Sequence, residues 1–148
     1  MIKKMRPWFV TFVLITVLVM GADLKEKTGT TLLSSTTVAM GTNNTKAILY
    51  TVPVGKTCIV TKVVIHTLSA AVACGNDNDF GAGTAAAGWK DTVNLSTLDA
   101  VNDFWVITNE NALIEAVFAA GDEFGIQTDV GSSGSAVNAK VDVFGYIY

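Results

Sequence analysis

The sequence predicts an all-β domain, a sandwich or barrel of about eight or nine short strands, behind an apolar N-terminal helix. Three observations carry this reading. From Lys46 onward, apolar and polar residues alternate with a period of two. Turn residues interrupt that alternation about every ten positions. The opening MIKKMRPWFVTFVLITVLVMG, by contrast, resembles nothing that follows it.

That opening has three parts. Lys3, Lys4 and Arg6 are cationic, Trp8 to Met20 form a 13-residue run without a charge, and Val19 and Gly21 are smallish residues ahead of Ala22. This is the pattern of a secretory signal peptide over residues 1–21. The run falls short of the ~20 residues of a comfortable membrane span. The alternative is a retained membrane anchor, which extends the segment to Leu24 across Asp23.

Residues 22–46 follow as a Thr-, Ser- and Asn-rich stretch, read as a flexible or extended arm. A short strand is expected at Thr36 to Met40, with pairing to a neighbouring subunit as the sharper reading. The β-sandwich domain is assigned to residues 47–148. Its first strand sets Ile48, Tyr50 and Val52 against Ala47, Leu49 and Thr51, and Pro53 and Gly55 then turn the chain.

CIVTKVVIHTL, residues 58–68, is the longest β-branched run. Strict alternation puts Ile59, Thr61, Val63 and Ile65 on one face. Cys58, Val60, Lys62, Val64 and His66 then share the face expected to meet water or a partner. Further strands are expected at Val72 to Phe80, Trp89 to Leu95, Asp103 to Thr108, Ala112 to Phe118, Glu123 to Val130 and Ala136 to Tyr148. LIEAVFAAGDEF offers a helical alternative, but its amphipathic stretch is too short before Gly121.

Charge excludes one class of partner. Ten Lys plus Arg face thirteen acids, and three of those basic residues sit in the leader. Without residues 1–21 the chain keeps seven Lys, no Arg and a formal charge of −6. Such a domain lacks the electrostatic footprint and the bidentate donors that nucleic acid requires. An anionic membrane surface is disfavoured likewise, so a membrane is a partner only if the leader is retained.

Candidate chemistry is thin. His66 is the only histidine, no G-x-S-x-G element is present, and neither cysteine has a nucleophile context, so no catalytic site and no cofactor are expected. Cys58 and Cys74 either bridge, which export permits, or stay separate buried thiols; both readings stay open. Asn76, Asp77, Asn78 and Asp79 offer clustered hard oxygens, with Asp77 and Asp79 as the calcium candidates against a plain polar loop.

A glycosidase would pair carboxylates such as Glu115, Asp122 and Glu123 across a cleft, and nothing in the spacing does so. Trp89, Trp105, Tyr146 and Tyr148 are the aromatics available for sugar stacking, with core or interface as the plainer role. Asn43-Asn44-Thr45 and Asn94-Leu95-Ser96 match the glycosylation triplet.

TVPVGKTCIVTKVVI, residues 51–65, resembles the opening of small β-sandwich domains in phage and virion structural proteins, where a Pro-x-Gly-Lys turn feeds a long core strand. AAGDEFGIQT, the Gly/Ser loop and the closing VDVFGYIY are similar to the ends of those domains. The resemblance implies a jelly-roll-like antiparallel sandwich of about eight strands, assembled into symmetric arrays as a decoration, fibre or attachment module. The resulting expectation is an exported, non-enzymatic structural or adhesive homo-oligomer of a virion, fibre or cell surface. The alternative is a carbohydrate- or calcium-dependent ligand-binding module, with a surface glycan or protein as partner.

Overall fold

The computed structural model describes residues 30–72, 76–82, 88–108, 117–132 and 137–148. The leader, Cys74 and Glu115 lie outside them. The described residues contain no helix and nine strands: β1 (Thr31–Ala39), β2 (Thr45–Thr51), β3 (Cys58–His66), β4 (Asp77–Ala82), β5 (Gly88–Asn94), β6 (Trp105–Thr108), β7 (Val117–Phe118), β8 (Glu123–Val130) and β9 (Asn138–Ile147).

They form two antiparallel sheets. The first runs β1-β9-β3-β6, with β7 beside β6 on the same flank of β3. The second runs β2-β8-β4-β5. An all-β sandwich was the sequence expectation, and the sheets bear it out. Between them Val60, Val63, Ile65, Val141 and Val143 meet Phe80, Trp89, Phe124 and Ile126, all buried. Trp89 makes edge-on contacts with Phe80 and Phe124, at 6.5 and 5.5 Å between centroids. Such pairs contribute about 0.5–1.5 kcal/mol beyond area burial. Its indole N–H donates to the Val60 carbonyl at 3.2 Å, so the polar atom of this core residue ties one sheet to the other.

Turn chemistry follows the residues. Lys56 N–H donates to the Pro53 carbonyl at 3.1 Å, with Gly55 at φ +74°, where a side chain would be strained. The expected alternation holds in β8 through Phe124, Ile126 and Thr128, which are buried, and fails at Val130, which is exposed at the strand's end.

Three expectations are corrected. The N-terminal strand spans Thr31–Ala39 instead of Thr36 to Met40, because it pairs with β9 of its own chain along its whole length. The strand expected at Val72 to Phe80 is found at Asp77–Ala82, so the polar insert also read as a plain loop at Asn76 to Asp79 is largely strand. Asp77–Ala82 is an interior strand, since β8 and β5 supply partners on both sides. Third, β3 does not keep one parity. Cys58 and Val60 are buried, and so are Val63 and Ile65, because a bulge between Val60 and Lys62 shifts the register against β9. Only Lys62, Val64 and His66 of the expected face look outward. The strand expected at Ala112 to Phe118 is described only as Val117–Phe118.

Candidate functional site

The outward surface of the first sheet gathers the groups with most chemical content. On β3 these are Lys62, Val64 and His66; on β9 they are Lys140, Asp142 and Phe144. Register sets the neighbours: Lys62 lies opposite Phe144, Val64 opposite Asp142, and His66 opposite Lys140. Lys62 Nζ sits 4.4 Å from the Phe144 ring centre, a cation–π contact that holds the ammonium over an apolar floor.

A hydrogen-bonded chain crosses three strands. Ser35 on β1 donates to Asp142 Oδ1 at 2.5 Å, and Asp142 Oδ2 lies 3.1 Å from His66 Nε2. A carboxylate oxygen only accepts, so Nε2 supplies the hydrogen and Nδ1 faces the Thr67 hydroxyl at 2.7 Å. Thr67 holds φ +51°, an uncommon conformation for a β-branched residue. The imidazole is thus fixed at both nitrogens. Because the chain joins β1, β9 and β3, it acts as a cross-link of the sheet face.

The segment between β5 and β6 lies over one end of this face. Val101, Asn102 and Phe104 join Val64, His66, Thr67, Asp142 and Phe144 around a groove of about 450 Å³. Phe104 is 67% exposed, Val101 49% and Val106 of β6 44%. A second groove of about 310 Å³ separates the edges β5 and β6, lined by Lys90, Thr92, Asn94 and Trp105 among others.

The second sheet differs outside and in. Strand alternation splits the calcium candidates: Asn76 and Asn78 are buried within the sandwich, while Asp77 and Asp79 take the opposite parity. Asn78 donates to Asn76 Oδ1 and accepts from Thr128 Oγ1 at 2.9 Å; Asn76 in turn donates to the Met40 carbonyl at 3.4 Å. Outside, Asp79 accepts the Thr92 N–H at 2.7 Å and meets Asp129, to which Gln127 also donates. Burial holds the Asp79 carboxyl above its usual range. The Thr92 N–H pulls it down, and Asp129 and Asp91 push it further up. Asp77 Oδ1 and Gln127 Oε1 are buried without a donor.

The other candidates disperse. Cys58 is buried and free, and burial pushes its thiol up to about 11, so little thiolate forms at neutral pH. Trp89 is core, Trp105 lines the edge groove, Tyr146 is half-buried on β9 and Tyr148 pairs its backbone with Thr57. Asp122 accepts the Ala119 N–H in a turn, beside Glu123 on β8. In the two glycosylation triplets, Asn43 accepts from the Gly131 N–H and Asn94 from the Ser96 N–H. Among the described residues no group of three or more His, Cys, Asp or Glu could hold a metal ion. Sequence reasoning missed Phe104, Asp142 and Ser35, since no spacing rule joins positions 107 residues apart.

No family model matches the chain, and no curated protein does. A solved structure does: a chain of the cyanophage Pam1 capsid asymmetric unit is 18% identical, with a TM-score of 0.51, covering 80% of this chain and 84% of that one. At that identity the likeness is one of fold, and it agrees with the resemblance to phage structural domains drawn from the turns and strands.

Proposed function

We propose that the chain is a non-enzymatic structural component of a virion, a jelly-roll sandwich that assembles with copies of itself. The observation that carries this is the strand order. Counting β6 and β7 as one interrupted strand leaves two facing sheets of four, with the chain crossing between them at every step but β4 to β5, as in two interleaved Greek keys. The capsid chain has a similar fold over most of both lengths. That chain belongs to a capsid, and a capsid role comes to the present chain as part of the proposal. Light scattering on the size-exclusion peak tests self-assembly: a multiple of the chain mass is expected at micromolar concentration, and a clean monomer overturns it.

Export through residues 1–21 belongs to the same reading, while the arm expected at 22–46 gives way to β1, which takes its place in the sandwich. An intact mass beginning at Ala22 is the expected outcome for a cleaved leader, and a mass that includes Met1 overturns cleavage. The calcium alternative is weakened by β4, whose pleat sends the four clustered side chains to two faces. The carbohydrate alternative is weakened by the scatter of Trp89, Trp105, Tyr146 and Tyr148.

A further inference from the structure

We propose that a second copy of this chain seats face to face on the outer surface of the first sheet, with Phe104 as its main apolar anchor. The inference rests on the self-assembly reading and names the surface that performs it.

The apolar centre comes first. Phe104 and Val101 are exposed above a groove whose half-buried floor is Val64 and Phe144, and exposed Val106 stands opposite Val64 on β6. An exposed aromatic ringed by smaller apolar groups is the composition of an interface core, and charged groups belong at its rim. Here the rim carries both signs. Lys62, Lys140 and His66 stand on the face with Asp142, and Asp99 and Asp103 lie on the segment that carries Phe104. A copy turned about a twofold axis brings the acids of one face onto the lysines of the other, so the surface is complementary to itself.

The second sheet cannot do this. Asp77, Asp79, Asp129 and Glu123 stand outside it against Lys46 and, at its edge, Lys90, so two such faces repel. Area is adequate as well. Four strands at ~4.8 Å spacing and nine residues at ~3.3 Å give about 19 by 30 Å, or ~570 Å² per partner, which two copies bring just above the ~1,000 Å² total of a small specific interface.

The test is sedimentation or light scattering of the full chain across concentration, with thermal unfolding as the folding control. Phe104→Asp is expected to weaken assembly at least about thirtyfold. Lys140→Glu and Asp142→Lys are each expected to weaken it about tenfold, and the two together to restore it, because a face that meets itself regains complementarity when both signs are exchanged. A Phe104→Asp protein that assembles like the wild type overturns the proposal. So does a double exchange no better than either single change, which means the face meets a different surface or another shell protein. A monomeric wild type overturns the self-assembly reading as well; an oligomer indifferent to all these changes overturns only the assignment of the face.

Discussion

Outward from the first sheet stand Lys62, Val64, His66, Asp142 and Phe144, cross-linked through Ser35 and overhung by Phe104. Outward from the second stand Asp77, Asp79, Gln127 and Asp129, with two carboxylates close enough to repel. Inside, the order reverses. Behind β3 and β9 the wall is apolar, whereas behind β4 and β8 it includes Asn76, Asn78 and Thr128. Polar groups in the second sheet are used to hold β4 in place, and its outer face remains one that water must cover. The first sheet needs no polar interior, and its outer face combines apolar area with fixed charges of both signs. On the proposed assembly, the contrast separates a scaffold from a contact surface.

The strongest way to break that contrast is to disturb the middle of each sheet. A Cβ on Gly145 of β9 falls 2.2 Å from the Ile59 carbonyl oxygen, and one on Gly125 of β8 falls 2.9 Å from that of Ala47. Both obstacles are backbone, so neighbouring strands must separate. Gly145→Ala is expected to cost about 3 kcal/mol or more and Gly125→Ala about 1–2, read by chemical denaturation. Equal costs would mean that the first sheet is no tighter at its centre than the second.

Next in size is the polar interior. Asn78→Ala removes the acceptor of the buried Thr128 hydroxyl and is expected to cost about 1–3 kcal/mol. The paired change Asn78→Leu with Thr128→Val is expected to recover part of that loss, since no orphaned hydroxyl remains. A double variant worse than the single change would show that the amide packs as much as it bonds.

The smallest effect is electrostatic. With its carboxyl pKa raised, Asp79 keeps its proton to higher pH in the folded state than in the unfolded one. Its effect on stability is most favourable below the ordinary carboxyl pKa of ~3.9 and is lost as pH rises through the raised value. Asp79→Asn keeps an acceptor for Thr92 and removes the repulsion. It is expected to flatten that decline and raise the neutral-pH melting temperature by a few degrees, below about 1 kcal/mol. An unchanged pH profile would place the strain elsewhere on the face.

Much of the frame was legible in the residues. The Pro53–Lys56 turn, the alternation of β8 and the long final strand depend on local chemistry, and they stand where the pattern put them. What escaped depends on partners. The parity change in β3 arises from its register with β9, which no residue of 58–68 announces. Asn76 and Asn78 read as turn formers because their satisfaction comes from Met40 and Thr128, far along the chain. The proposed contact face was half legible: Lys62 and His66 marked it, but Cys58 and Val60 proved to be core, and Phe104 entered from a loop.

The place of β9 also sets a clock. Both β1 and β3 depend on residues 138–147 as their partner, so the first sheet has no middle until those residues have left the ribosome. At ~5–20 residues per second, β1 waits on the order of 5–20 s for its ladder. During that interval its backbone is an open template for any passing strand. The first sheet therefore cannot close before β9 is made, and the rate of translation between Ala39 and Asn138 becomes a variable of the chain's yield.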